Sequence, residues 1–577
     1  MLRALVVVST LVGTLSLPAV ALAGAGATTD VGPTISVDEI KPGMVGYGLT
    51  VFEGEKPERF AVRVIAVLHN FLPKQDVFLI RSDDPRLVHS GIAQGMSGSP
   101  IYLDNRLAGA LAYGWGFSKD PIAGVTPIAA MTRELERDLR SPVPHALAPS
   151  AAAEAQGLHP ASLPLSVSGL TPEAVAELGT ALAPYHLVPQ QAGGSRGPRR
   201  TGGKAPRFVP GGSIAVELIR GDVSAVGTGT VTAVAGDRVL AFGHPMFNSG
   251  EIAFPIATAV IHTFMSSLNT SFKLSSPLDE AGALFQDRQS GIIGDMSKRV
   301  PMVPMTVVIH APGHKEQRFA VEIARHRFLT PTLAASVLGS AASSAASDIA
   351  DATVTMKTHL VVHGEQPIDL VEHLYAPDGV QGRLLSSAAG MRALTEVLFN
   401  SYTPASIDRL DIDVDVAYHA DIAEISELSI GAETVDPGSR PSLRVTLRPY
   451  GKPDEIVIVP IDIPESLAGQ TVRLSVQAGG AARPDVAPPE SLHDVLVNLG
   501  RTYSARSIVV GLELPDEGLA VHGRLVPELP GSVLDSLRPS SAARRADGLR
   551  RVDRAVVPTS YITLGKQELS LRVRERR

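Results

Sequence analysis

The 577-residue chain has no cysteine, a single tryptophan and only 5% aromatic residues. Without cysteine there can be no disulfide, catalytic thiol, thiolate zinc site or iron–sulfur cluster. A chain with no cross-links must be held by its cores, and this length supplies several. Strong charge bias is also missing: the net charge is −7, with no long run of one sign. Nucleic acid is therefore not an expected partner. Past the N-terminus no apolar run is long enough to span a membrane; Ile252 to Phe264 comes nearest and holds Pro255 and His262. No cofactor or metal is expected. The pair His310/His314 brackets a Pro-Gly turn and His359/His363 reads as strand, whereas a zinc site at that spacing needs a helix. Asp411, Asp413 and Asp415 alternate along a strand and read as its solvated face, because no calcium-loop glycine or twelfth-position acid follows.

What is present begins with an export signal. Residues 1–23 combine Arg3, the apolar stretch Leu5 to Leu17 and the small-residue site Ala21-Leu22-Ala23. The mature protein is expected in the periplasm or outside the cell, with no membrane span after signal cleavage. The 53 glycines and 44 prolines, with β-branched alternating segments between them, point to a mainly β chain with a few helices.

Composition divides the chain further. Residues 34–146 read as one β domain of short strands with Gly/Pro punctuation, a barrel or a sandwich. Residues 147–210 are rich in Pro, Gly and Ala and read as a linker with a short helix capped by Thr171-Pro172. A second β segment covers 211–330, a helical and mixed connecting segment 331–402, and a β-sandwich-like C-terminal region 403–577. The arginines between Arg538 and Arg554 read as an exposed loop.

The chemistry centres on Gly91-Ile92-Ala93-Gln94-Gly95-Met96-Ser97-Gly98-Ser99-Pro100, followed by an alternating strand. Glycine at 95 and 98 permits a turn that presents Ser97 as a nucleophile. In such a turn the N–H groups of Gly95 and Ser97 can converge as an oxyanion hole. A tight Gly/Ser turn without chemistry is the competing reading. A nucleophilic serine needs a base, and of the 16 histidines His244 stands out, between Gly243 and Pro245 at the exit of an apolar strand. His89 is a local neighbour of the loop. An esterase elbow is disfavoured, since Gly95-x-Ser97-x-Ser99 lacks the final glycine and a strand follows it.

Asp84-Pro85-Arg86-Leu87 with Gly95-Met96-Ser97-Gly98-Ser99-Pro100 resembles the serine block of the SpoIVB-type serine peptidases, family 55 of the serine peptidases. Gly229-Thr230-Val231-Thr232 with Leu240-Ala241-Phe242-Gly243-His244 resembles that family's histidine block, and Gly282 to Gly294 a block that follows it. The order is permuted, because Ser97 precedes His244 here. The resemblance implies a trypsin-like double β-barrel of two halves with the site between them, and an exported serine endopeptidase. It gives catalytic roles to Ser97 and His244, and offers Asp287, Asp84 or, more weakly, Asp295 as the acid that orients the histidine. Gly114-Trp115-Gly116 lies where trypsin-like peptidases pair an extended substrate by β-addition. The implied partner is a peptide or protein substrate, with an envelope protein docking on the C-terminal β region as a further expectation. The alternative is a non-catalytic peptide-binding or envelope scaffold protein that keeps the peptidase fold.

Overall fold

The computed structural model describes residues 30–115, 118–135, 159–160, 163–192, 206–346, 349–521, 524–526, 530, 532–533 and 548–575. The expected signal peptide, Gly116 and the Gly-rich stretch 193–204 lie outside them.

The first barrel is built from β1 (Val45–Thr50), β2 (Glu58–Leu72), β3 (Gln75–Ser82), β4 (Pro100–Leu103), β5 (Arg106–Gly114) and β6 (Ile122–Pro127), with α1 (Pro85–Ser90) between β3 and β4. The strands pair in the order β4-β1-β2-β3-β6-β5, and a β4–β5 pairing closes the ring. Early in β2, Phe60, Val62 and Val64 are buried while Ala61 and Arg63 are exposed, the period-two pattern of a strand with one wet face. These side chains pack with Phe78, Ile80, Ile101 and Leu111 as the barrel's core. After β6 comes α2 (Ile128–Leu135).

The stretch read as a linker holds more than its one helix. β7 (His159–Pro160) pairs with β5. β8 (Leu163–Ser168), α3 (Pro172–Leu182) and β9 (Leu187–Gln191) follow, with Thr171 capping the helix as expected. β8 pairs with the next sheet and buries Leu163, Leu165 and Val167, so this apolar strand is part of a core rather than a tether.

The second half contains β10 (Ser213–Gly221), β11 (Ser224–Ala235), β12 (Arg238–Ala241), β13 (Gly250–Met265), β14 (Phe272–Arg288) and β15 (Gly291–Asp295). Their order is β10-β13-β14-β15-β12-β11, and β10 also pairs with β11, so these strands form a second closed circuit. The sheet continues outward through β16 (Val303–His310) and β17 (Gln317–Ile323). Then come α4 (Leu329–Ala345), β18 (Ala352–Val362), β19 (Ile368–Ala376), α5 (Gly382–Ser386), α6 (Ala389–Leu398) and β20 (Ile407–Ala417). Strands β16 to β20 all join this 13-stranded sheet. The segment expected as a connector is thus an extension of the histidine-bearing sheet. The parallel β16–β20 pairing, which needs a long crossover, carries it past the expected boundary at 403.

Farther on, a four-stranded sheet (Ile422–Ile430, Ser442–Pro449, Glu455–Pro460, Ile562–Leu564) shares one core with a larger sheet that includes Thr471–Ala478, Ser507–Val521 and Lys566–Val573. Residues 548–558, which overlap the end of the arginine stretch read as a loop, form a strand on Ser507–Val521, and Arg554 pairs with Asp485.

The first barrel and the second sheet share an apolar contact. Leu107, Ala110, Ile128, Met131 and Leu135 from the first side pack with Ala233, Ala235, Leu240 and Ile293 from the second. At about 25 cal/mol per Å² of apolar surface, such a contact holds the halves without a cross-link.

Candidate active site

Ser97 lies at the seam where the first barrel meets the second strand circuit, and residues of that circuit grip its loop at successive positions. Gln94 N donates to Ser271 O at 2.8 Å, and Lys273 N donates to Gln94 O at 3.0 Å. Thr230 Oγ1 donates to Gly95 O at 2.9 Å. Thr230 N donates to Ser97 O at 2.8 Å, and Thr232 Oγ1 to Gly98 O at 2.8 Å. From its own barrel the loop is held by Gly98 N donating to Leu111 O at 2.7 Å.

Two glycines make this fit. Gly95 and Gly98 have φ of +88° and +93°, a region L side chains rarely enter. A Cβ on Gly98 would stand 1.9 Å from Thr230 O and 2.5 Å from Phe242 N. Among the described residues no acceptor takes the N–H of Gly95 or of Ser97. Both donors are thus available to an oxyanion.

His244 follows β12, in a loop whose backbone packs on the first barrel. Gly243 sits against Ala110 and Ala112 of β5, and its carbonyl accepts from Thr126 Oγ1 at 2.7 Å. The imidazole stacks on Phe242, with centroids 6.1 Å apart. Its Nδ1 lies 2.8 Å from Pro245 O. A carbonyl can only accept, so Nδ1 carries the proton and Nε2 has a free lone pair. Burial drives the His244 pKa down to about 4, against the raising pull of the Pro245 carbonyl. The ring is therefore neutral near pH 7, with Nε2 unprotonated.

Ser97 is fully buried and His244 is 2% exposed. Ser97 Oγ and His244 Nε2 both lack a hydrogen-bond partner, so the serine and imidazole are not bonded to each other.

The candidate acids lie elsewhere. Asp287 is fully buried on β14, but its carboxylate accepts from the backbone N–H groups of Met246 at 2.7 Å, Phe247 at 2.6 Å and Ser249 at 3.4 Å. It anchors the loop that follows His244 and makes no hydrogen bond to the ring. Burial raises its pKa to about 6, opposed by those backbone donors. Asp84 caps α1 by accepting from Arg86 N at 2.9 Å, and the Arg86 side chain holds its carboxyl below the usual range. Asp295 accepts from Ser297 in an exposed turn. None of the three orients His244 in this structure; the Pro245 carbonyl does.

The expected substrate strand is partly occupied. Past the end of β4, Tyr113 and Gly114 of β5 pair antiparallel with Pro160 and His159 of β7. Trp115 follows, half-buried.

Residues 27–130 match the SpoIVB peptidase S55 family. The match takes in the first barrel and the Ser97 loop, ends before β10, and suggests a serine peptidase. No curated protein matches the chain.

His310, Asp413 and Asp415 bring their ligand atoms within 4.8 Å of one another. Lys357 Nζ already sits there, 3.6 Å from Asp413 and 3.0 Å from Asp415, and supplies the balancing cation. His89 is on α1, outside the seam contacts above.

Several participants escaped sequence reading: the Pro245 carbonyl, the hydroxyls of Thr230 and Thr232, and Lys273. The threonines had a visible cue in Gly229-Thr230-Val231-Thr232, where hydroxyls repeat along one face of a strand.

Proposed function

We propose that the chain is an exported serine endopeptidase. Ser97 attacks the scissile carbonyl, and His244 Nε2 takes its proton and returns it to the leaving amine. The N–H groups of Gly95 and Ser97 receive the oxyanion. The two closed strand circuits act as the halves of a permuted trypsin-like double barrel, and catalysis occurs in their seam. An extended peptide or protein substrate pairs with Gly114, Trp115 and Gly116 at the end of β5, and at Gly114 it displaces β7.

One observation carries the reading. A glycine-flanked serine, buried and unbonded in a stretch that matches a peptidase family, is gripped by the same strands that lead into the loop of a neutral imidazole whose tautomer leaves Nε2 free. The described state is closed, with both side chains buried and not bonded to each other; on this reading substrate entry brings Ser97 and His244 into hydrogen-bond contact, as catalytic contacts often tighten only in the complex.

A second reading rests on that same closure. A non-catalytic protein would use the seam only to clamp a peptide, consistent with a serine and histidine that are buried and not bonded to each other. Casein hydrolysis by the mature protein and its S97A and H244A variants separates the two. The peptidase reading expects cleavage products from the native protein and about 10⁴-fold less activity from either variant. A native protein that binds casein without cleaving it establishes the clamp.

A further inference from the structure

The proposed proton transfers leave one buried ionisable group of the seam unused. Lys273, near the start of β14, is fully buried. Among the described residues no carboxylate pairs with it. Its Nζ donates to Thr50 Oγ1 at 2.7 Å and to Thr230 Oγ1 at 3.2 Å. With the Thr230 oxygen accepting from the lysine, the Thr230 proton goes to Gly95 O. The lysine stem lies along Gly95: a Cβ there would meet three of its carbons at 3.2–3.3 Å. Its backbone N–H holds Gln94 O. In a trans peptide the C=O and N–H point in opposite directions, so a Gln94 carbonyl turned toward β14 turns the Gly95 N–H the other way. Lys273 thus controls the peptides on both sides of Gly95.

An amine in this place is costly. Burial without a counter-charge brings the lysine pKa down to about 7. A methionine fills similar volume without that penalty.

We infer that Lys273 is a positioning residue for the loop that carries the oxyanion donors: its side chain, through Thr230, holds the Gly95 carbonyl, and its backbone N–H holds the Gln94 carbonyl, whose peptide bears the Gly95 N–H. This rests on Ser97 being the nucleophile.

The test uses the full mature chain, a fluorophosphonate probe and three variants: K273M, T230V and the double variant. Labelling rates are read beside melting temperatures. K273M is expected to melt no lower than native yet to label about tenfold more slowly. T230V is expected to lose a similar factor, and the double variant no more than the larger single loss, because both act through one path. A purely structural lysine gives the opposite pattern, a lower melting point with labelling per folded molecule unchanged. The inference is overturned if K273M labels within twofold of native, or if the two losses multiply. Should K273M fail to fold, T230V decides: slower labelling at unchanged melting supports the relay, and unchanged labelling overturns it. A native protein that labels at no pH removes the nucleophile reading and this inference with it. Native labelling matched by K273M overturns the lysine's role alone.

Discussion

Thr230 N donates to Ser97 O at 2.8 Å across a sequence separation of 133 residues. The bond joins the second sheet to the centre of the serine loop. Ser97 is therefore placed by β11 as much as by its own turn, and disturbing either half should disturb the site.

Gly98 is the closest point of that docking. Gly98→Ala would drive a Cβ into Thr230 O and force a strained φ. The expected loss is on the order of 3 kcal/mol in stability, by thermal or urea unfolding. Gly114→Ala is the matched control, because a Cβ there meets nothing within 4 Å. It should change stability by less than about 0.5 kcal/mol.

Asp287 and Asp84 should separate cleanly. Asp287→Asn keeps the shape but weakens the acceptors that hold Met246, Phe247 and Ser249. It should destabilise the fold by about 1–3 kcal/mol and slow fluorophosphonate labelling, because the loop carrying His244 loosens. Asp84→Ala removes a helix cap, worth about 1 kcal/mol, and should leave labelling per folded molecule within about twofold. The reverse ranking would make Asp84 the functional acid.

The protonation of His244 sets an acid limit. With its pKa lowered from 6.5 to about 4, the ring stays a free base well into the acid range. Labelling should therefore hold through pH 5 and halve near 4. A half-point near 6.5 would mean the working ring is solvated. The same shift makes folding stability fall as pH drops from 6.5 toward 4, since the unfolded state takes up the proton first.

Lys273 acts on stability in the alkaline range. Its folded pKa of about 7 lies below the ordinary 10.5, so between those values the unfolded chain binds more protons. Native stability from this group rises with pH across that window. Any advantage of K273M should be largest near pH 7 and fade toward pH 10, read as the difference in melting temperature.

The sequence carried the serine loop because a strained turn writes itself in glycine, and Gly95 and Gly98 both take positive φ. It carried the β character through alternation such as Phe60-x-Val62-x-Val64. The seam was harder to read. In Ser271-Phe272-Lys273-Leu274-Ser275 the polar residues are buried and the apolar ones half-exposed, the reverse of an ordinary amphipathic strand. Lys273 and Ser275 face hydroxyls from other strands, Lys273 those of Thr50 and Thr230 and Ser275 those of Thr228 and Ser166, and that complementarity appears only after folding. The orienting group of His244 was out of reach for another reason: a backbone carbonyl has no sequence signature. The long sheet beyond β15 was missed because its parallel β16–β20 pairing is non-local.

The central claim is that Ser97 is the nucleophile of a two-barrel seam. The most direct measurement is mass-spectrometric mapping of the fluorophosphonate adduct on the mature native protein at neutral pH. The account predicts one adduct, on the peptide containing Ser97, absent from S97A and strongly reduced in H244A. An adduct on another serine, or no adduct at any pH from mildly acid to mildly alkaline, would contradict it.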